Sequence, residues 1–198
     1  ICKWFAKKLG FPDLAGGVAA SGGTLSNLNA LVAARNYAGL ETDPKATYLI
    51  SEDAHSSFVK CTNIMGLDKN NLIKVKTDEN GCLDMIELKK NIDKCSKEGN
   101  RIFAVVATLG TTIRGAIDPI EDISRICKER NIWLHIDGSI GGIFSITNLP
   151  INEGINVNLA NSITINPQKI LGITKTSSLL IVSNIDILKT TFSTGLPY

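Results

Sequence analysis

The sequence predicts an α/β domain built on a mostly parallel sheet flanked by helices. Two observations predict it. Apolar, β-rich runs alternate with helical patterns along the chain. Most of those runs are near-continuously apolar, as strands covered on both faces are. Strands are expected at 46–50, 72–75, 102–107, 133–136, 162–165 and 178–182. Helices are expected at 24–37, 56–65, 85–97 and 120–130. The first helix opens directly after Ser21-Gly22-Gly23. Leu83, Ile86, Leu88 and Ile92 mark the apolar face of the third, and Asn80-Gly81 before it reads as a turn. Asp118 followed by Pro119 reads as the start of the fourth. Trp133-Leu134-His135-Ile136 ends in the carboxylate Asp137, and Ile163-Thr164-Ile165 ends in a turn fixed by Pro167. Ligands of such sheets bind beyond the carboxyl ends of the strands, where Asp137 and Lys169 both fall.

Composition narrows the function. At 198 residues the chain can bury one sizeable core, so one domain is expected. It is 43% hydrophobic and 20% charged, which argues against disorder. A net charge of +2 is too small to argue for nucleic acid or an anionic membrane, and no run is apolar enough to span one. The five cysteines are scattered without a Cys-x-x-Cys pair, so neither a disulfide framework nor a metal site is expected. Reduced thiols point to a reducing compartment, the cytoplasm. There is no initiator Met or signal peptide, and both ends read as cut from a longer chain.

Three features carry chemistry. Ser21-Gly22-Gly23-Thr24 lets backbone N–H groups converge at a helix start, with hydroxyls beside them. No Gly-Lys-Ser/Thr follows, so it is not a nucleotide P-loop. Asp137 ends an apolar strand, and a carboxylate there needs a partner; a cationic ring N–H, a helix cap or a salt bridge would each serve. Lys169 stands between Ile165 and Ile170-Leu171, which predicts a desolvated amine suited to Schiff-base chemistry. A loop lysine, a strand-end aspartate and a phosphate-type glycine turn, in that combination, are what a pyridoxal-phosphate enzyme needs. The two histidines differ in setting. His55 lies just past a strand, where its ring could stack on a flat cofactor or be satisfied by solvent. His135 shares a face with Asp137 at period two and reads as support rather than catalyst. Thr108-Leu109-Gly110-Thr111-Thr112 turns hydroxyls toward the same crevice.

Taken in order, these segments resemble the pyridoxal-phosphate-dependent group II amino-acid decarboxylases. Ser21 to Leu28 is similar to the family's phosphate turn, and Ala54-His55-Ser56-Ser57 to the segment whose histidine stacks on the ring. Ala107 to Thr112, with Gly115 and Asp118, is similar to the segment where a threonine, here Thr112, contacts the cofactor. Trp133 to Asp137 is similar to the strand bearing the pyridinium aspartate, and Asn166-Pro167-Gln168-Lys169 to the Schiff-base segment. The resemblance implies the large domain of a fold type I, transferase-like enzyme over 1–198, lacking the N-terminal arm and C-terminal small domain. It implies decarboxylation of an L-amino acid to its amine and CO2 through a Schiff base on Lys169. Catalytic roles pass to Lys169, His55, Asp137 and, as a mobile-loop proton donor, Tyr198. Cofactor contacts pass to Gly22, Gly23, Thr24, His55, Thr112, Asp137, Ser139, Gln168 and Lys169. A homodimer, with an amino acid as its small-molecule substrate, is also implied.

The chain departs from the family pattern in two places. Gln168 stands where the family usually has a histidine that helps hold the phosphate; glutamine keeps an amide donor but no charge. Gly138-Ser139 stand where the family usually has Ala-Ala, adding a hydroxyl near the ring. These departures bear on substrate and reaction more than on cofactor binding. Aminotransfer, Cα–Cβ lysis, aldehyde formation and a non-catalytic cofactor-binding paralogue stay open as alternatives.

Overall fold

The computed structural model describes residues 1–147, 149, 155–175 and 177–195. The helices are α1 (Cys2–Lys8), α2 (Gly23–Tyr37), α3 (Ser57–Ile64), α4 (Met85–Lys97), α5 (Ile120–Arg130), α6 (Pro167–Ile170) and α7 (Ile185–Phe192). The strands are β1 (Gly16–Ala20), β2 (Ala46–Ser51), β3 (Leu72–Val75), β4 (Arg101–Thr108), β5 (Trp133–Gly138), β6 (Ser162–Ile165) and β7 (Ser178–Val182). They form one sheet in the order β1-β7-β6-β5-β4-β2-β3. The run from β3 to β6 is parallel, and β7 enters antiparallel between β6 and β1. The expected α/β fold with a mostly parallel sheet is therefore observed.

The apolar runs are continuous because both faces are covered. Side chains alternate along each strand, so neighbours in sequence enter opposite layers. Leu49, Val105, Leu134 and Ile136 pack beneath Leu88 and Ile92 of α4 and Ile123 and Cys127 of α5. Their neighbours Tyr48, Ile50, Ala104 and Val106 pack on the other face with Leu31 and Ala34 of α2 and Phe58 and Cys61 of α3. In α2, Ala30, Ala33 and Ala34 are fully buried, so small side chains let this helix lie close against the sheet.

Three expectations are corrected. Ile86 is exposed: α4 begins only at Met85, and its buried stripe is Leu88, Ile92 and Cys95, at helical spacing. Ile86 points away from that stripe. Asp118 does not cap α5, whose N-cap is Pro119 and whose first turn, from Ile120, carries Glu121 and Asp122. Its carboxylate turns inward instead, accepting from Leu83 N at 2.7 Å and from Thr108 N at 2.7 Å. Lys169 is exposed, as are Ile170 and Leu171 beside it, so the expected desolvation of the amine is not observed among the described residues. The Asn80-Gly81 turn is present, with Gly81 at φ 78°, where a side chain would be strained.

Asp118 ties the end of β4 to the loop before α4. Burial pushes its pKa up to about 6, against the two backbone N–H bonds that favour the charge. An acid raised in this way takes up its proton first in the native state. Its contribution to stability is complete near its ordinary value of 3.8 and is lost as pH rises through about 6. Asp118→Asn removes the titration but keeps one acceptor. Denaturant unfolding from about pH 4 to pH 7 should show the wild type losing roughly 1–3 kcal/mol relative to the variant. A difference that does not change with pH contradicts this account.

Candidate active site

The carboxyl ends of β2, β4, β5 and β6 and the start of α2 enclose a cleft of ≈ 200 Å³. Each wall follows from the topology. β1 runs in the same direction as β6, so the turn after it delivers Gly23 and Thr24 to this end of the sheet. The segment after β2 delivers His55 and Ser57, and the last residue of β4 and the segment after it deliver Thr108, Gly110 and Thr112. β5 delivers Asp137, Ser139 and Ile140, and the turn after β6 delivers Asn166, Gln168 and Lys169.

The start of α2 is one wall. Its N-cap is Gly22, and no side chain caps the helix, so the first N–H groups have no partner within it. Gly23 is closely approached from across the cleft. A Cβ there would lie 2.6 Å from Asn166 Nδ2 and 2.7 Å from Ser139 Oγ. Asn166 Oδ1 accepts from Ser178 Oγ, which turns the amide nitrogen toward this glycine. Gln168 is held similarly: Ser177 Oγ donates to its Oε1 at 3.0 Å, leaving the NH2 end as the one that faces elsewhere. Uncapped helix N–H groups with amide and hydroxyl donors around them make an anion cradle.

Asp137 is another wall, with only 4% of its surface exposed. Its Oδ2 accepts from Asn27 Nδ2 at 3.0 Å and its Oδ1 from the backbone N of Ser139 at 3.1 Å. Both donors are neutral, and among the described residues no lysine or arginine pairs with it. A buried carboxylate supported only by neutral donors, and open to a cleft, is suited to a cationic N–H on a ligand. His135 lies behind it, fully buried, with Nδ1 2.8 Å from Ser162 Oγ and Nε2 3.1 Å from Asn27 Oδ1. Burial pushes the His135 pKa down, with the charge of Asp137 opposing, so its imidazole is neutral. Cys61 approaches Thr24 O at 3.9 Å, and burial followed by the charge of Asp137 raises its pKa to about 11. It is a protonated packing thiol, not a nucleophile.

His55 is exposed at the cleft and accepts a hydrogen bond at Nδ1 from Ser57 N, 3.1 Å away. That bond fixes the ring's plane and places the proton of its neutral form at Nε2. Thr24, Thr112 and Lys169 line the cleft with exposed side chains. The structure thus gathers Gly23, Thr24, His55, Thr112, Asp137, Ser139, Gln168 and Lys169 around one space. Gly22 caps α2 without lining it. Ser21 also stays outside, and Thr111 turns inward to accept from Ala116 N at 3.0 Å. Tyr198 lies outside the described residues.

Asn27 and Asn166 stand within the segments read from sequence, the phosphate turn and the Schiff-base segment, but neither is given a role of its own there. Asn27 carried a usable signal: it stands one turn after Gly23, on the face of α2 that otherwise buries Ala30, Leu31 and Ala34. A polar side chain there needs a partner inside. Asn166 immediately precedes Pro167, a position that suggests only a turn.

The residues fit pyridoxal phosphate on the structure's own terms. The glycine whose Cβ would be crowded out, the uncapped α2 terminus and the buried carboxylate answer a phosphate and a protonated ring nitrogen, with an amine on the cleft wall. A family model described as the pyridoxal-dependent decarboxylase conserved domain matches residues 1–198. The chain is 33% identical over 192 residues to an aromatic-L-amino-acid decarboxylase of Bacillus atrophaeus, covering 96% of this chain and 39% of that protein. It is 34% identical over 191 residues to the acidic amino acid decarboxylase GADL1 of Xenopus tropicalis, covering 92% of this chain and 37% of that protein. The crystal structure of mouse CSAD superposes with a TM-score of 0.92 at 28% identity, covering 98% of this chain and 42% of that one. The chain spans well under half the length of these relatives.

The crowding at Gly23 yields a prediction. Gly23→Ala should weaken pyridoxal-phosphate binding by at least about ten-fold and cost about 1–3 kcal/mol of stability, because the new methyl must displace Asn166 or Ser139. Fluorescence titration with the cofactor and denaturant unfolding would measure the two effects. Unchanged affinity would remove Gly23 from the cradle.

Proposed function

Because the chain belongs to the pyridoxal-dependent decarboxylases, with the fold type I architecture of its structural relatives, we propose that the complete protein is a pyridoxal-phosphate-dependent amino-acid decarboxylase. It releases CO2 and the corresponding amine from an L-amino acid. The observation that carries the reading is Asp137: a buried carboxylate held by two neutral donors, in one cleft with the amine of Lys169.

Bound pyridoxal phosphate supplies an aldehyde carbon and a ring that stabilises negative charge at the substrate's α-carbon. The chain's own residues do the rest. Lys169, whose amine lines the cleft, would be the residue that anchors the cofactor's aldehyde group. Asp137 keeps a proton on the ring nitrogen, because its charge has no other cation to answer. His55, its ring oriented by Ser57 N, would be the residue that packs on the cofactor's ring. The N–H groups at the start of α2, Thr24 and the amide of Gln168 would hold the phosphate with neutral donors, Gly22 would set the turn that aims them, and Ser139 would place its hydroxyl near the ring. Thr112, which lines the cleft beyond β4, would contact the cofactor from that side. Tyr198 would be the residue that returns a proton to the substrate's α-carbon. The reading extends to a homodimer and to the cytoplasm, the latter supported by five free thiols. Among the described residues no helix is long and apolar enough to cross a membrane.

Borohydride reduction of the full-length protein with pyridoxal phosphate, followed by peptide mapping, tests the assignment. The label is expected on Lys169, and Lys169→Ala should abolish both the reducible absorbance band and turnover. A screen of amino acids should then release CO2 with an amine. A label on another residue, or none, overturns the reading; a keto acid or an aldehyde as product overturns simple decarboxylation while leaving the cofactor site intact.

A further inference from the structure

Behind the cleft, five buried side chains touch in sequence: Trp133, Ser162, His135, Asn27 and Asp137, none more than 4% exposed. Trp133 Nε1 lies 2.9 Å from Ser162 Oγ, which lies 2.8 Å from His135 Nδ1. His135 Nε2 lies 3.1 Å from Asn27 Oδ1, and Asn27 Nδ2 lies 3.0 Å from Asp137 Oδ2. We propose that these contacts form a one-way chain of hydrogen-bond donors ending on Asp137, and that Asn27 and His135 are positioning residues that hold this carboxylate as an acceptor aimed at the cleft. The inference rests on the function proposed above.

The direction follows from the chemistry of the two ends. An indole nitrogen can only donate, so Ser162 Oγ accepts from Trp133. An ionised carboxylate can only accept, so Asn27 presents its NH2 to Asp137 and its carbonyl oxygen to His135. His135 Nε2 must then carry the proton. A neutral imidazole has one N–H, so Nδ1 is bare, and the single hydroxyl hydrogen of Ser162 points to it. Every donor in the chain finds an acceptor. The reverse order fails at the Asp137 end, where it would set the amide oxygen of Asn27 against the oxygen of Asp137; Ser162 Oγ could accept two donors, so the carboxylate fixes the direction. Thr164 Oγ1, 3.5 Å from His135 Nε2, is a longer second acceptor and does not reverse the order.

The chain separates two requirements that a simple ion pair would merge. A cationic partner behind Asp137 would satisfy the carboxylate and compete with a ring nitrogen for its charge. Neutral donors orient the carboxylate and leave its charge for the ligand. The polarity crosses the sheet from β5 to β6 and back, then passes to α2, so three elements must be in register for it to close.

The test begins with the nitrogen NMR spectrum of His135 in the full-length protein, without and with pyridoxal phosphate, assigned with His135→Gln. The expected result is a protonated Nε2 and a bare Nδ1 in both states. A proton on Nδ1, or on both nitrogens near neutral pH, overturns the chain. Asn27→Asp then asks what the chain is for. It preserves shape but puts two carboxylates about 3 Å apart, which then share a proton. Cofactor affinity should fall at least about ten-fold. Ser162→Ala, which does not line the cleft, should leave the proton on Nε2, because Asn27 Oδ1 still requires it, and weaken the cofactor to a smaller degree. Wild-type affinity in Asn27→Asp, with a native circular dichroism spectrum, would mean that Asn27 only fills space and would overturn the positioning role. Borohydride labelling of the wild type separates the two readings. A label on Lys169 with the wrong tautomer sinks the chain alone, and no label sinks the function and with it the chain's assigned use.

Discussion

Asp137 is a carboxylate set at the end of a strand whose flanking residues, Leu134 and Ile136, are almost wholly buried hydrocarbon. An unpartnered charge at that depth would cost several kcal/mol or be lost to protonation. Much of the local architecture answers this one demand. Asn27 and the Ser139 backbone meet the two oxygens from different elements. Asn27 reaches because α2 lies close on the sheet, and α2 lies close because Ala30, Ala33 and Ala34 replace larger side chains on its buried face. The same approach brings the start of α2 to the edge of the cleft, where a side chain at position 23 would crowd Asn166 and Ser139. A packing choice in the middle of a helix therefore sets the chemistry at its end.

The sheet supplies the rest by topology. Parallel strands place their carboxyl ends on one side, and the segments that leave β2, β4, β5 and β6 converge there. Register matters at the atomic level, because Asp137 pairs with Thr108 of β4 and Thr164 of β6. A slip of one residue would turn Asp137 toward the opposite layer, among the apolar side chains of α4 and α5. Asp118 reinforces this edge by tying Thr108 N, so a second buried carboxylate steadies the strand beside the first.

Much of this was legible in the sequence because both signals it uses are local. Continuous apolar runs mark strands covered on both sides, and β3, β6 and β7 and helices α4 and α5 fall within the expected limits. β1 was missed because Gly16-Gly17 weakens any strand signal, although a Cβ on Gly17 would meet the carbonyl of Leu180 across the pairing with β7. α1 and α7 were also missed; both are short, and their helical period spans about two turns. The cleft residues were recognisable by their places after strands and at a glycine turn. What was not legible is long-range. Asn27 and Asp137 are 110 residues apart, and nothing local announces their bond. Lys169 shows the converse: apolar neighbours in sequence suggested burial, yet α6 is a single short turn that leaves Ile170 and Leu171 exposed with it.

The central claim is that the cleft orients pyridoxal phosphate between α2, Asp137 and Lys169. The most direct measurement is a crystal structure of the full-length protein with that cofactor. The account predicts the phosphate at the start of α2, the ring nitrogen within about 3 Å of an Asp137 carboxylate oxygen, and continuous density from the cofactor to Lys169 Nζ. A ring nitrogen facing solvent, or a phosphate bound away from Gly23 and Thr24, would contradict it.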